Sequence, residues 1–498
     1  MDEGAQRLRD GVRAVGVTPS AEMLAAACEG LHRSKPHYSA KHVFSALQIF
    51  TLAVCAAGLT YLIASHPWSA WRVAHVAVFA LFAVTLFVRL FAAASLERPK
   101  IEPYALPQHA PWPAFTLLCP LYREANVVHD LAAALDRLDY PKHALDIKFL
   151  VEADDVDTMA AALSAARAPH MEVVIIPAAA PRTKPKALNV GLALARGEYV
   201  GVYDAEDRPH PLQLRAALKA FEQGGPKLGC VQAPLAIDNA QAAWIARQFA
   251  AEYAIQFREM LPLLARLGLP LPLGGSSNHF RTEVLRAIGG WDAYNVTEDA
   301  DLGFRLARAK YKCAMIAPPT YEEAPVSFSA WLDQRTRWIK GHMQTYLVAM
   351  RNPLRTLIEL GPFGFLGLHF TLAAGIAAAL LHGPLALALA LDWLTPLKII
   401  SDIDLALILF GYCVAAFSAL SAAALSGELS HIRAAVSMPL YWPLSAIAAY
   451  RALWDLFRRP HFWAKTAHGL SLRRQRSYKF TNRQDLAAEN AEQQKRSA

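Results

Sequence analysis

The chain has 498 residues, of which 54% are hydrophobic, and its 50 Lys and Arg against 42 Asp and Glu give a formal net charge of +8. This hydrophobic fraction is high for a soluble protein and indicates membrane-spanning segments around a soluble domain. Because the basic residues flank apolar segments and the six cysteines form no Cys-x-x-Cys pair, the composition argues against a nucleic-acid partner, a zinc site and a disulfide framework.

The N-terminal part is expected to form a short cytosolic segment followed by a membrane hairpin. Residues 1–42 are polar and mixed in charge, with no cleavable signal peptide. Within residues 43–94, the apolar stretches Val43–Ser65 and Val73–Ala94 are each long enough to cross a bilayer at about 1.5 Å per residue. Basic residues on both outer flanks place those flanks in the cytosol. Arg89, near the end of the second stretch, is expected to extend to the lipid headgroups.

Residues 107–350 alternate short apolar runs with helical patterns, which predicts an α/β domain with a mostly parallel sheet and helices on both faces. Ligands of such sheets bind at the carboxyl ends of the strands. The predicted strands are Phe115–Cys119, Ile147–Val151, Val173–Ile176 and Tyr199–Tyr203, and the predicted helices are Val127–Leu138, Thr158–Ala166 and Lys186–Ala195.

Charged residues follow the predicted strands at positions where a ligand would bind. Glu152 and Asp154 follow the second strand, and one of them would accept a hydrogen bond from a pyrimidine ring N–H, unless the acids only cap a solvated helix. Lys184 precedes a helix, where a cation opposes the helix dipole and indicates a neighbouring anion such as a diphosphate. A basic surface loop is the alternative interpretation of the lysine segment.

Asp204, Glu206 and Asp207 follow the fourth predicted strand. Clustered acids at that position suit a hard divalent cation, Mg²⁺ or Mn²⁺, that bridges phosphate oxygens. Further along the chain, the glycine-rich segment Gly274–Phe280 predicts either a tight turn or a close approach of the backbone to a sugar. His279 within this segment is a candidate substrate ligand.

Thr297, Glu298 and Asp299 precede a helix predicted over Ala300–Ala309, and acids are ordinary in the first turn of a helix. Their position upstream of a Gln-x-x-Arg-Trp segment favours catalysis instead. Asp299 would then remove the proton of an acceptor hydroxyl as a general base.

Gln334, Arg337 and Trp338 form that segment, within amphipathic helices predicted over residues 325–362 at the membrane surface. Arg337 would contact the diphosphate, and Trp338 would lie under a sugar ring. Anchoring at the interface by Trp and Arg alone is the alternative interpretation.

Residues 363–454 are predicted to contain about four further spans, since an even number returns the chain to a cytosolic basic tail. Residues 455–498 are predicted to form a juxtamembrane loop and a disordered tail. The candidate spans are Phe363–Leu381, Pro384–Ile400, Leu405–Leu425 and Ala434–Leu453.

In this order, the motifs resemble the membrane-integrated family 2 glycosyltransferases, the group that includes cellulose, mixed-linkage glucan, hyaluronan and poly-N-acetylglucosamine synthases. The resemblance covers Ala114–Met350 well and the flanking spans loosely. It implies an α/β GT-A nucleotide-diphospho-sugar domain in the cytosol, inserted between the transmembrane helices of a multi-pass protein. It also implies a divalent metal and inversion at the anomeric carbon. Phe462–Gly469 lies at the position comparable to the gating loop of the cellulose synthases and would either close over a nucleotide or anchor the chain at the membrane.

The resemblance further implies residue roles on the donor side. The uracil-binding acid of the family matches Glu152 or Asp154, its lysine matches Lys184, and its diphosphate-binding arginine matches Arg337. The Asp-x-Asp metal motif of the family matches Asp204 and position 206, which is Glu here. Because a Glu side chain is longer, either Glu206 or Asp207 would complete the metal site. The catalytic base matches Asp299, and the acceptor-binding positions match Glu298, Gln334 and Trp338.

These features predict an enzyme of the bacterial inner membrane that polymerises a β-linked, glucan-like polysaccharide from a UDP-sugar and translocates it, with export or regulatory subunits as further partners. The alternative is a non-processive transferase that loads one sugar onto a polyprenyl phosphate or another lipid. A transporter or receptor with a nucleotide-sensing domain is the alternative of another class, and the clustered acids and the Gln-x-x-Arg-Trp segment argue against it.

Overall fold

Ten strands form two sheets in the computed structural model, which describes residues 16–95, 101, 104, 111–426 and 430–463. The strands are β1 Phe115–Leu121, β2 Leu145–Glu152, β3 Met171–Ile176, β4 Tyr199–Val202, β5 Arg208–Pro209, β6 Leu228–Gln232, β7 Leu235–Ile237, β8 Asn278–Arg281, β9 Lys312–Met315 and β10 Thr320–Glu322. The large sheet has seven strands in the order β3-β2-β1-β4-β8-β6-β9, and the small sheet has the order β5-β10-β7.

The helices surround the large sheet and extend away from it. They are α1 Ala21–Ser34, α2 Ala46–Ser65, α3 Pro67–Ala94, α4 Val128–Asp136, α5 Val156–Ala165, α6 Lys184–Ala193, α7 Gln213–Gly224, α8 Trp244–Ile255, α9 Leu261–Arg266, α10 Thr282–Ala287, α11 Glu298–Arg308, α12 Phe328–Ala349, α13 Pro353–Leu368, α14 Ala374–Leu394, α15 Asp402–Ser426, α16 Ser430–Tyr441 and α17 Leu444–Arg458. Two π turns, Gln256–Met260 and His369–Ala373, join α8 to α9 and α13 to α14.

The predicted α/β organisation is confirmed. Strands β1 to β4 are parallel to one another, and β8 runs antiparallel to both β4 and β6. Alternate side chains of β1 pack on α4, α5 and α7 on one face of the sheet, while α1, α6, α10 and α11 cover the other face. All four predicted strands are present, because a continuous apolar run is what a strand buried on both faces requires.

Within the described residues, four helical segments are long and apolar enough to cross a membrane: α2, α3, Pro353–Leu394, which bends at Gly361, and α15. A single residue, His66, separates α2 from α3. No residue of α2 is buried, and Leu47 and Phe50 are exposed on its surface. An exposed apolar helix surface of this kind is typical of contact with lipid.

The guanidinium of Arg89 does not point outward along α3. It lies 5.6 Å from the ring centroid of Trp442, and both side chains line an internal cavity. The expectation that this side chain extends to the lipid headgroups is therefore wrong.

The break predicted between Phe363–Leu381 and Pro384–Ile400 is wrong, because one helix continues through both stretches and ends at Leu394. The chain bends earlier, at Gly361, whose φ of 73° lies in the left-handed region that favours glycine. Pro384 stays inside α14, as membrane helices tolerate.

The span predicted over Ala434–Leu453 is also wrong, because Trp442 and Pro443 separate it into α16 and α17. Both helices pack on the α/β domain and its neighbours: α16 against α8, and α17 against α12 and α14. In the described C-terminal part, two long apolar helices remain instead of four.

Helix α12 carries the Gln-x-x-Arg-Trp segment and packs directly against the start of α11. A Cβ atom on Gly341 would lie 2.2 Å from Thr297 Oγ1, so only glycine permits this approach. The close contact brings Asp299 and Trp338 to the same side of the domain, where both line one cavity.

Candidate functional site

A cavity of about 1270 Å³ lies between the carboxyl ends of the parallel strands and the apolar helices. Its wall near the α/β domain contains nearly all side chains that the sequence assigns to a site. These are Glu152, Lys184, Asp204, Glu206, Glu298, Asp299, Gln334, Arg337 and Trp338. Asp154 is not in this wall; it pairs with Arg182 at 2.7 Å, and both side chains are largely exposed.

Lys184 begins α6 and reaches across the end of the sheet. Its Nζ lies 2.5 Å from Asp204 Oδ1 and donates to the carbonyl oxygen of Gly275 at 2.7 Å. Burial opposes the charge of this lysine, but the carboxylates of Asp204, Glu298 and Asp299 outweigh burial and raise the pKa of Lys184. A permanently charged cation therefore faces the cavity.

Asp299 and Glu298 form the first turn of α11, beside Lys184. A Cβ atom on Gly275 would lie 3.3 Å from Asp299 Oδ2, 3.6 Å from Lys184 Nζ and 3.8 Å from Asp204 Oδ2. Three charged groups thus surround one backbone position that has no side chain. Their arrangement leaves room for a ligand in contact with all three.

Burial raises the pKa values of both acids in this turn. For Glu298, burial and the neighbouring Asp299 raise the pKa to about 7. For Asp299, burial raises the pKa, while the backbone N–H of Ala300 and the cations Lys184 and Arg337 oppose the shift. Because two close carboxyls resist double ionisation, the pair favours a single charge near neutral pH, and the N–H of Ala300, which donates to Asp299 Oδ1 at 2.8 Å, favours that charge on Asp299.

A second group of carboxyls lies at the end of β4. The backbone N–H of Asp204 donates to Asp207 Oδ2 at 2.8 Å. Burial raises the pKa of Asp207 well above its usual range, and Asp204 and Glu206 raise it further. Burial likewise raises the pKa of Glu322, with contributions from the same three acids. These hard oxygen ligands fit a divalent cation.

No group of three or more His, Cys, Asp or Glu side chains has metal-binding geometry in the described ranges. Mg²⁺ commonly takes some of its ligands from bound phosphates and only one or two from protein carboxylates. Asp204 and Glu206, which both line the cavity, are the residues that would hold it.

Gln334, Arg337 and Trp338 lie on one face of α12, as their helical spacing requires. Arg337 Nη1 donates to the carbonyl oxygen of Val296 at 3.4 Å, just before the acid pair. The ring of Trp338 lies 6.0 Å from that of Tyr253. A cation and an aromatic ring thus line the cavity near the acid pair Glu298 and Asp299.

Arg335, between these positions, also belongs to the site, although the sequence pattern does not single it out. Its guanidinium pairs with Glu252 and bonds the hydroxyl of Tyr441 at 3.2 Å. It also lies 5.1 Å from the ring centroid of Trp338 and 5.6 Å from that of Trp331. Arg335 therefore holds the Trp338 ring in place through charge, a hydroxyl and cation–π contact.

The prediction that His279 binds substrate is wrong. The side chain is fully buried between strands, with Nε2 3.1 Å from the Tyr203 hydroxyl and Nδ1 3.3 Å from the carbonyl oxygen of Val231. Burial lowers the pKa of His279 to about 4, so the ring is neutral and structural.

Glu152 lines the cavity and pairs with the buried Lys186 at 2.8 Å. At the other end of the chain, Phe462 and Trp463 return to the cavity wall. Lys340 Nζ donates to the carbonyl oxygen of Phe462 at 2.8 Å, and the Arg337 guanidinium lies 5.5 Å from the Trp463 ring centroid. Residues 464–469, the rest of the predicted gating loop, lie outside the described residues.

Beyond Arg335 the cavity continues between α3, α14 and α15, and its walls become apolar. They are formed by side chains such as Phe79, Phe82, Leu385, Leu407 and Ile408. Polar exceptions are few: the pair of His75 Nε2 and Asp404 Oδ1 at 2.7 Å, together with Arg89 and His382. One chamber therefore joins a charged end to an apolar end.

Residues 199–420 match the model of the family described as glycosyl transferase family group 2. The chain is 30% identical to Beta-monoglucosyldiacylglycerol synthase of Synechocystis sp. over 280 residues, which are 54% of this chain and 57% of that protein. The protein of the same name from Nostoc sp. is 28% identical over 240 residues, 47% of this chain and 50% of that protein. The chain thus spans about half the length of the curated relatives it matches.

Among solved structures, the mannosyltransferase PcManGT from Pyrobaculum calidifontis, in complex with GDP-Man and Mn²⁺, is similar at a TM-score of 0.46 and 20% identity, over 76% of this chain and 98% of that one. Residues 1–349 of TarS from S. aureus are similar at a TM-score of 0.37 and 13% identity, over 72% of this chain and 97% of that one.

Proposed function

We propose that this chain is an inverting, metal-dependent glycosyltransferase of the GT-A type that moves a hexose from a UDP-sugar to a membrane lipid. The observation that carries the proposal is the single chamber that joins the charged groups around Gly275 to an apolar end between candidate membrane helices. The family match over residues 199–420 supports the same class of reaction.

On the donor side, Lys184 and Arg337 neutralise the diphosphate of the UDP-sugar from two directions. Glu152, held in place by Lys186, is the candidate acceptor of a hydrogen bond from the uracil N–H. Asp204 and Glu206 would hold Mg²⁺ or Mn²⁺, which stabilises negative charge on the leaving diphosphate when it is bound.

On the acceptor side, Asp299 takes the proton of the acceptor hydroxyl as that oxygen attacks the anomeric carbon. The bond from the anomeric carbon to the diphosphate oxygen breaks on the opposite face, and UDP leaves with the electron pair. The configuration at the anomeric carbon inverts in this single displacement. Glu298, Gln334 and Trp338 would position the acceptor against the base.

A lipid is the acceptor that the apolar walls favour. Side chains such as Phe82, Leu385 and Ile408 offer dispersion contacts and no hydrogen bonds, which suits an acyl or prenyl chain. The relatives whose printed name is Beta-monoglucosyldiacylglycerol synthase add support from an independent direction.

The proposed location is the bacterial inner membrane. The four apolar helices would cross the bilayer, and the α/β domain would lie in the cytosol, where UDP-sugars are made. An even number of crossings on either side of the domain agrees with this arrangement.

A processive polysaccharide synthase is the second candidate. It is favoured by the Gln-x-x-Arg-Trp segment, whose Gln334, Arg337 and Trp338 share one helix face in the cavity wall. In that case the apolar chamber would receive the growing chain instead of a lipid tail.

Product analysis separates the two candidates. The purified full chain in detergent is incubated with UDP-glucose, Mn²⁺ and either a diacylated lipid or no lipid, and the products are examined by thin-layer chromatography and mass spectrometry. The proposal predicts a lipid that gains one hexose and UDP release that depends on added lipid. A long glycan formed without added lipid would establish the polymerase instead.

Gly275→Ala is expected to lower transfer by about 100-fold, because the new methyl occupies the space that the reacting groups must share and misplacement of about 1 Å has an effect of this size. The fold should tolerate the change, since the one contact below 3.4 Å, 3.3 Å to Asp299 Oδ2, is with the end of a side chain that can shift by a few tenths of an ångström. UDP-sugar turnover and the midpoint of thermal unfolding are the measurements.

Gly30→Ala is the matched control for this variant. Gly30 lies in α1, and a Cβ atom there would meet nothing within 4 Å. Transfer by this variant should equal that of the unmodified chain. If Gly275→Ala transfers hexose at the normal rate, the reacting groups do not meet at this backbone position.

A further inference from the structure

We infer that the acceptor lipid carries a phosphodiester between its tails and its reactive hydroxyl, and that Arg89 binds this phosphate. This inference rests on the proposed function, because it specifies the class of lipid that enters the chamber. It begins from a basic side chain near the C-terminal end of α3, within the apolar part of that helix.

Arg89 lies near the C-terminal end of α3, one of the helices apolar enough to span a membrane. A charged side chain in such a helix is costly unless it has a partner or a function. Over the described ranges, the Arg89 guanidinium forms no ion pair and no hydrogen bond. It lies over the ring of Trp442, 5.6 Å from the ring centroid. The guanidinium faces the cavity, where a ligand can reach it.

The carboxyls nearest to this guanidinium already have partners. Glu252 pairs with Arg335 and also accepts from the Tyr441 hydroxyl at 2.7 Å. Glu259 accepts from Ser421 Oγ at 2.6 Å, and its burial raises its pKa to about 7, so that much of it is uncharged at neutral pH. The local balance of charge is therefore positive and favours an anion.

The level of Arg89 in the chamber indicates which part of a lipid it meets. Going from Ala94 back toward Pro67, α3 leaves the α/β domain, so Phe82 and Phe79 lie deeper among the apolar walls than Arg89 does. Arg89 thus stands where the charged end passes into the apolar end. An anion bound there would lie between the tails and the hydroxyl that reaches Asp299.

A phosphodiester matches this side chain better than other lipid groups do. The planar guanidinium donates two parallel hydrogen bonds to phosphate oxygens, and Trp442 supports its other face by a cation–π contact. A neutral diacylglycerol offers no group for this donor. The occupant is therefore an anionic glycerophospholipid whose head group ends in a hydroxyl.

The test compares two acceptors with identical acyl chains, phosphatidylglycerol and diacylglycerol, in mixed micelles with the purified full chain. The unmodified chain should have the higher kcat/KM for phosphatidylglycerol. Arg89→Gln should lower that value by about 10- to 100-fold, mainly through KM, because one charge-assisted contact is lost. Transfer to diacylglycerol by the same variant should stay unchanged.

Arg72→Gln is the matched control, since Arg72 lies on the same helix but is exposed and does not line the cavity. It should transfer to both lipids as the unmodified chain does. Arg89→Lys keeps the charge without the bidentate geometry and should have an intermediate KM for phosphatidylglycerol; this variant carries the test if Arg89→Gln fails to fold.

Two results would overturn the inference: a preference of the unmodified chain for diacylglycerol, or an equal loss on both lipids in Arg89→Gln and Arg89→Lys, which would indicate a structural role. Failure of the proposed function looks different, because no lipid of either kind would then gain a hexose.

Discussion

Asp299→Asn is expected to abolish hexose transfer while it leaves UDP-sugar binding nearly intact. The amide has the shape of the carboxylate, but it cannot accept the proton of the acceptor hydroxyl. Removing a general base of this kind lowers kcat by about 10²- to 10⁴-fold. The amount of UDP released in reactions stopped at set times measures turnover, and calorimetric titration with UDP measures donor binding.

The geometry around Asp299 explains why binding should survive. Lys184, which pairs with Asp204, keeps that partner in the variant and still faces the diphosphate. The change also removes one negative charge near the negatively charged diphosphate of the donor, so it should not weaken donor binding.

Two further variants define the role of the base. Glu283→Gln changes an exposed acid on α10 and should leave transfer unchanged. Glu298→Gln changes the other member of the pair; if it lowers kcat more than Asp299→Asn does, the base is Glu298. Equal loss of UDP binding and turnover in Asp299→Asn would contradict the role of a base altogether.

The site residues at the end of the sheet could be predicted from the sequence, because the residues that follow parallel strands lie at the same edge of the sheet. Glu152 and Asp204 each follow a buried apolar run, and those runs form β2 and β4, the two strands that flank β1 in the large sheet. Lys184 begins the helix after β3 and reaches the same edge. For these residues, local sequence and the rules of sheet topology suffice.

Other members of the site depend on contacts that no local pattern encodes. Glu322 joins the acids only because the three-residue strand β10 pairs with β5, where Tyr321 lies opposite Arg208. Arg335 finds Glu252 and Tyr441 at sequence separations of 83 and 106 residues. Neither strand length nor helical periodicity carries information about such partners.

The apolar C-terminal helices were hard to divide for a related reason. Hydropathy measures composition, and composition alone does not locate a helix end. Pro384 stays within α14, whereas Gly361 marks the actual bend. In α16 and α17, the apolar faces pack on the α/β domain, and a hydropathy pattern cannot distinguish that burial from contact with lipid.

Asp204→Asn is expected to abolish the metal dependence of UDP binding and to lower the transfer rate by at least about 100-fold. The reason is that a charged ligand of the cation becomes a neutral one. Titration with UDP, in the presence of Mn²⁺ and in EDTA, measures the binding. In the unmodified chain, Mn²⁺ should lower the Kd for UDP clearly below its value in EDTA. In the variant, the Kd for UDP should be nearly the same with Mn²⁺ and with EDTA.

The sign of the effect in EDTA makes this prediction specific. Without metal, the Asp204 carboxylate holds Lys184 Nζ at 2.5 Å and also repels a diphosphate. The asparagine variant releases that lysine and removes the negative charge, so it should bind UDP at least as tightly as the unmodified chain does in EDTA. The variant is therefore expected to bind UDP at least as tightly as the unmodified chain in EDTA, and more weakly than the unmodified chain in Mn²⁺.

Asp157→Asn is the matched control, an acid-to-amide change on the exposed surface of α5. It should keep the full response to Mn²⁺. If Asp204→Asn also keeps that response, the cation is bound by other acids, and Glu206→Gln and Asp207→Asn become the variants to titrate. If the unmodified chain itself binds UDP equally well in EDTA, the carboxyls at the end of β4 serve the packing of the small sheet, with Glu322 held by burial and not by a metal.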